Sequence, residues 1–238
     1  MCGIVGLFLK DKSLELRLGE MLTDMLVTMS DRGPDSAGIA IYKSPNSSYK
    51  KITLQSSNPT KDFKNLKTSL DKLIHQGLEI SIIDTHAIIN FETKYLEKVK
   101  ALLSDSFSCL KIMSIGDSIE IYKEVGSPET VANRFHLSKM IGSHGIGHTR
   151  MATESAVTTM GAHPFSTGND QCLVHNGSLS NHNSLRRELI KNGIKFETDN
   201  DTEVAAAYLT FKMNEGYNLG DALEVGLDEL DGFYTFLV

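Results

Sequence analysis

Cysteine is scarce: Cys2, Cys109 and Cys172 are odd in number and far apart, which argues against a disulfide framework and fits a reducing, cytoplasmic compartment. No run of 18 apolar residues occurs. The apolar stretch Ile4 to Leu9 is too short for a secretory h-region and has no basic segment before it, so neither export nor a membrane span is expected. Basic clusters are equally sparse. Lys50-Lys51 and Arg186-Arg187 are the densest, and with a net charge of −6 they read as solvated faces, so nucleic acid is not an expected partner.

What is present describes an ordinary globular chain: 238 residues, 40% hydrophobic, 23% charged and 19 glycines, enough for one large domain with an insertion. The pattern opens with a strand from Ile4. Leu14, Leu18, Met21, Leu22, Met25, Leu26 and Met29 then recur at helical spacing. A turn over Ser30 to Asp35 leads to a second strand, Gly38 to Tyr42. Residues 45–140 read as an inserted α/β subdomain: a helix at 64–75, a strand from Glu79 to Phe91 with a break, a helix over Lys94 to Leu103, a strand near Leu110 to Val125 and a short helix at Pro128. No catalytic cluster is visible in it. From Gly142 to Phe165 glycine and polar residues alternate, which reads as loop. Gln171 to His175 is a short strand running into Asn176-Gly177, a strong turn signal, and helices at about 182–192, 202–214 and 219–230 precede a strand from Phe233 to Val238. Ending inside an apolar strand, the chain is expected to continue beyond Val238.

The residue that organises this chain is Cys2. Once Met1 is removed, a thiol and a free α-amine share one carbon, and an α-amine of ordinary pKa about 7.7–8.0 is a usable base near neutral pH. By itself Cys2 is equally a small apolar residue starting a strand. Four further segments bear on the choice: Arg32-Gly33-Pro34-Asp35-Ser36, Gly147-His148-Thr149-Arg150-Met151-Ala152-Thr153, His175-Asn176-Gly177 and Asp199-Asn200-Asp201-Thr202-Glu203. Their order and types resemble the glutaminase domain of the class II glutamine amidotransferases, N-terminal-nucleophile hydrolases, over roughly residues 1–43 and 143–238.

That resemblance implies an α+β fold, the αββα sandwich of two stacked, mainly antiparallel sheets between helical layers, with the insertion added. It implies L-glutamine as substrate and Cys2 as the nucleophile that forms a γ-glutamyl thioester. The Asn176 side-chain amide and the Gly177 N–H become the oxyanion donors. Arg150 takes the substrate α-carboxylate and Asp201 its α-ammonium. Local spacing alone does not choose between Asp199 and Asp201; the match at Asp201-Thr202-Glu203 does. Arg32 and Gly33 support the nucleophile pocket, and Thr153 and His175 join the substrate site. No cofactor is expected in this chain, and the ammonia passes to a synthase subunit.

Two features depart from the family pattern. Met151 stands where many relatives carry tryptophan, and the insertion at 45–140 is more similar to stand-alone amidotransferase subunits of glutamate-synthase-like complexes, including N-methylglutamate synthases, whose partner carries flavin. Two other readings compete. His144, His148, His163, His175 and Cys172 suggest a metal, but Gly145 and Gly147 disfavour a helix between the first two and no His-Glu-x-x-His pattern exists. A catalytically silent scaffold is the second.

Overall fold

The computed structural model describes residues 2–152 and 156–238. In chain order its elements are β1 (Gly3–Phe8), α1 (Leu18–Thr28), β2 (Ser36–Tyr42), β3 (Tyr49–Gln55), α2 (Pro59–Leu73), β4 (Glu79–Ile83), β5 (His86–Glu92), α3 (Leu96–Ser106), β6 (Lys111–Gly116), β7 (Ile119–Val125), α4 (Pro128–Arg134), β8 (His144–Arg150), β9 (Phe165–Gly168), β10 (Gln171–Leu179), α5 (His182–Lys191), α6 (Asp201–Asn214), α7 (Leu219–Glu229) and β11 (Gly232–Leu237).

Two antiparallel sheets stack face to face. One has the order β1-β8-β2-β7 and the other β11-β10-β9. Ala40, Ile119, Ile121, Ile146, Cys172 and Val174 fill the space between them. On the outer face of the first sheet, Leu18, Leu22 and Leu26 of α1 are fully buried against Val5, Ile39, Ile41 and Val131. Each such leucine contributes about 1.5–3 kcal/mol by leaving water. The second sheet is covered by α5, α6 and α7 through Leu189, Val204, Leu209 and Ala222. This is the expected αββα sandwich.

The stretch 45–140 divides between two bodies. Strands β4-β5-β3-β6 form a separate sheet packed on α2 and α3, whereas β7 pairs along β2 in the main sandwich. The strand expected over Leu110 to Val125 is therefore two. Its break at Gly116 is held from a distance by Asp170, whose carboxylate accepts from the N–H groups of Asp117 (2.7 Å), Ser118 (2.7 Å) and Ile119 (3.0 Å).

Three further expectations are corrected. The helix expected from Leu14 begins at Leu18, with residues Lys12–Arg17 wound as a tighter 3₁₀ segment. The Gly-rich run expected as a loop contains β8, an inner strand between β1 and β2. Its glycines suit the crowding: a Cβ on Gly147 would sit 3.0 Å from both Leu26 and Val5. Asn176-Gly177 is not a hairpin turn, because β10 continues through it and pairs Gly177 with Tyr234 of β11.

Candidate active site

β1 delivers the nucleophile. It runs antiparallel to β8 with Gly3 opposite Thr149, which brings Cys2 to the end of the sheet beside Arg150 and Met151. Close approach demands glycine at position 3, where a Cβ would lie 2.7 Å from Thr149 Oγ1 and 2.8 Å from Met29 Cβ. Cys2 is half-buried, with its thiol 3.9 Å from the Met151 carbonyl oxygen. Its own carbonyl oxygen accepts two hydrogen bonds at 3.2 Å, from Arg32 Nε and from Asn176 Nδ2.

A cavity of about 300 Å³ opens at this thiol, lined by Cys2, Arg150, His175, Gly177, Asp199 and Asp201 among others. Arg150 is buried and its Nη1 donates to Ala156 O at 3.2 Å. Asp35 anchors the same turn: its backbone N–H donates to Arg150 O and its carboxylate accepts from Ala152 N. Asp201 begins α6. Asn200 caps that helix, accepting from Thr202 N at 2.9 Å, a bond of the kind worth about 1 kcal/mol. The helix N-terminus favours a carboxylate there. Burial alone raises the Asp201 pKa, but His175, the Leu179 N–H and His182 together hold it below the usual carboxylate range.

Three histidines meet at the cavity wall, His163 and His175 in the lining and His148 behind them. The His148 and His163 rings lie 3.9 Å apart, and both side chains are buried. Burial drives both pKa values down, His148 to about 3, with Arg150 and the other histidines adding to the effect. Neutral rings fix the hydrogen-bond directions. His148 Nε2 donates to His175 O at 2.9 Å, while His163 Nδ1 accepts from His175 N at 3.5 Å. The backbone of the residue before Asn176 is thereby gripped on both sides, and His175 Nδ1 contacts Thr202 Oγ1 at 2.8 Å.

Gly177 has φ of +133°, and a Cβ there would overlap the Phe233 carbonyl oxygen of the neighbouring strand. Only glycine fits both demands.

Cys2, Arg150, His175, Gly177 and Asp201 line one cavity, and Asn176 touches the cysteine backbone. Arg32 and Gly33 do not belong to the lining. Arg32 is exposed and reaches Cys2 O, and Gly33 packs so tightly under the backbone of Thr149 and Arg150 that a Cβ would overlap it. Thr153 and Met1 lie outside the described residues. Sequence reasoning missed Asp35 and His163 as site supports, although Asp35 stood inside the quoted Arg-Gly-x-Asp turn. Cys172 is walled off from the cavity, its thiol 3.4 Å from Tyr42 Oη and pushed up to about 12 by burial. Among the described residues no group of three or more His, Cys, Asp and Glu is arranged to hold a metal.

A sandwich whose first strand ends at a thiol in a polar cavity has the architecture of an N-terminal-nucleophile hydrolase. Comparison with known proteins narrows this class. Residues 135–238 match the family profile described as "Glutamine amidotransferase domain". The chain is 60% identical over all its 238 residues to the glutamine amidotransferase-like protein GlxB of Rhizobium meliloti, covering 79% of that protein. It is 35% identical over 144 residues to a glutamine–fructose-6-phosphate aminotransferase of Fusobacterium nucleatum, matching 60% of this chain and 23% of that one. The B. subtilis glutamine PRPP amidotransferase structure superposes with a TM-score of 0.55 at 19% identity, over 100% of this chain and 34% of that one, which speaks to the fold. The chain belongs to the class II glutamine amidotransferases.

Proposed function

We propose that this chain hydrolyses L-glutamine to glutamate and ammonia at Cys2 and hands the ammonia to a separate synthase subunit. The observation that carries this reading is one cavity holding a thiol, a buried guanidinium and two carboxylates. That charge pattern complements the two α-substituents of an amino acid while its side-chain amide faces sulfur. The guanidinium fork of Arg150 suits the α-carboxylate, and Asp201 the α-ammonium.

In the proposed cycle the Cys2 α-amine accepts the thiol proton, and the thiolate adds to the amide carbonyl. The oxyanion is received by Asn176 Nδ2 and Gly177 N–H. Collapse expels the amide nitrogen, which takes the amine's proton and leaves as ammonia. Water then cleaves the γ-glutamyl thioester, giving glutamate and restoring the thiol. Arg32 serves by holding Cys2 O. A separate acceptor is supported by the matched motifs, which account for glutamine chemistry alone, and by the sheet of β3 to β6, which offers no second catalytic cluster among the described residues; a glutamate-synthase-like subunit carrying flavin is proposed for it by resemblance only.

Glutamate release from L-glutamine is the test, run on protein whose intact mass shows Met1 removed. Cys2→Ala and a form that retains Met1 are expected at background with the fold intact. Ready turnover by the Met1-retaining form refutes the role of the amine, and turnover by Cys2→Ala refutes the reading as a whole.

A further inference from the structure

The stretch between the family's motifs reaches the cavity from behind, through β7. Lys123 points between the two sheets and is buried. Its ammonium donates to three carbonyl oxygens of one loop: Met160 at 3.1 Å, Ala162 at 2.7 Å and Pro164 at 3.2 Å. It also sits 4.2 Å from the centre of the Phe165 ring. Three donors meeting three acceptors is the complement of a protonated lysine. Burial pushes its pKa down to about 7, with Glu203 and Glu197 pulling the other way. The adjacent Glu124 accepts from Thr159 Oγ1 in the same loop. Gly38 of β2 stands directly opposite Lys123 and allows this close approach, since a Cβ there would lie 2.1 Å from the His163 carbonyl oxygen and 2.5 Å from Lys123 Cβ.

This loop connects the two charged ends of the cavity. Ala156 O receives Arg150 Nη1 at 3.2 Å, and Gly161 O receives Asn200 Nδ2 at 3.1 Å, from the residue that caps the helix beginning at Asp201. His163 itself lines the cavity. We propose that Lys123 is a positioning residue for amino-acid recognition: by clamping residues 160–164 it sets the spacing between Arg150 and Asp201. This rests on reading the cavity as a glutamine site. Among the described residues the hydrogen bond of the Cys2 thiol goes to Met151 O and none joins it to the clamped carbonyls, so its thiol should not sense the loss of Lys123.

The test separates binding from thiol chemistry. Alkylation of Cys2 by iodoacetamide, followed by peptide mass to distinguish it from exposed Cys109, is measured with increasing L-glutamate, a non-reacting ligand bearing both α-groups. In the wild type L-glutamate should slow alkylation. Lys123→Met should keep the unprotected rate and need about tenfold more L-glutamate for half-protection, the loss expected from a misplaced clamp. Gly38→Ala, which crowds both Lys123 and the His163 carbonyl oxygen from the paired strand, should shift protection in the same direction, and Lys123→Arg, which keeps the charge but not the three-pronged geometry, serves if either variant fails to fold. Unchanged half-protection in a folded variant overturns the inference and leaves the glutamine reading standing. No protection in the wild type overturns both.

Discussion

The side-chain amide of Asn176 donates to the carbonyl oxygen of Cys2 at 3.2 Å, tying the proposed oxyanion donor to the backbone of the proposed nucleophile. One N–H of the amide is thereby directed and the other remains for substrate. Asn176→Ala is expected to lower kcat by about 10²–10³ with a smaller effect on KM, because the donor acts on charge that develops in the transition state. Steady-state glutaminase kinetics check this. Weakened affinity for L-glutamate with kcat unchanged would instead assign Asn176 to ground-state binding.

Recognition is tested at the two charges. Arg150→Lys and Asp201→Asn are each expected to raise the glutamine KM by about tenfold or more, since a point charge does not replace a planar fork and a neutral amide does not pair with an ammonium. Asp199 also lines the cavity but is exposed, so Asp199→Asn should have the smaller effect. The opposite ranking of the two aspartates would reassign the ammonium contact.

Much of this site was legible because its members stand in short local patterns. Cys2, Arg150 and Asp201 are fixed by their immediate neighbours in sequence, and the structure gathers them around one cavity. The misreadings share a physical origin. Asn-Gly ordinarily marks a turn, yet Gly177 uses its positive φ inside a paired strand, a choice made by the proximity of Phe233 O. The glycines of β8 looked like loop because nothing local announces that Leu22, Leu26 and Val5 press on them. Lys123 was invisible for the same reason: its three acceptors belong to a loop far along the chain, and only the pairing of β7 with β2 brings them together.

Acid should destabilise the fold before its carboxylates titrate. His86 and His148 are held at about 3, mainly by burial, and His163 well below the usual imidazole range, whereas in the unfolded chain all three titrate near 6.5. Between those limits the unfolded state binds more protons, so stability is full above about pH 6.5 and falls as pH drops toward 3, by about 1.4 kcal/mol per pH unit for each histidine. Urea midpoints at pH 7.5 and 5 should show this. His86, stacked edge-on against Phe135 and outside the cavity lining, isolates one contribution. His86→Phe should flatten the slope; an unchanged slope would place the acid sensitivity elsewhere.

Delivery of ammonia to a partner is the remaining expectation. Met151 and Gly177 line the cavity, and hydrolysis uncoupled from an acceptor wastes glutamine, so activity should be low in the isolated chain and rise when a partner orders the loops around the thiol. Met151 is part of the cavity lining beside the thiol. The decisive measurement supplies the reconstituted complex with amide-¹⁵N glutamine in excess unlabelled ammonium. Direct transfer puts the label in the amino product despite the dilution. A product nitrogen drawn from the bulk ammonium would show that ammonia escapes before use, and that the synthase reading of this cavity is wrong even where its glutaminase chemistry holds.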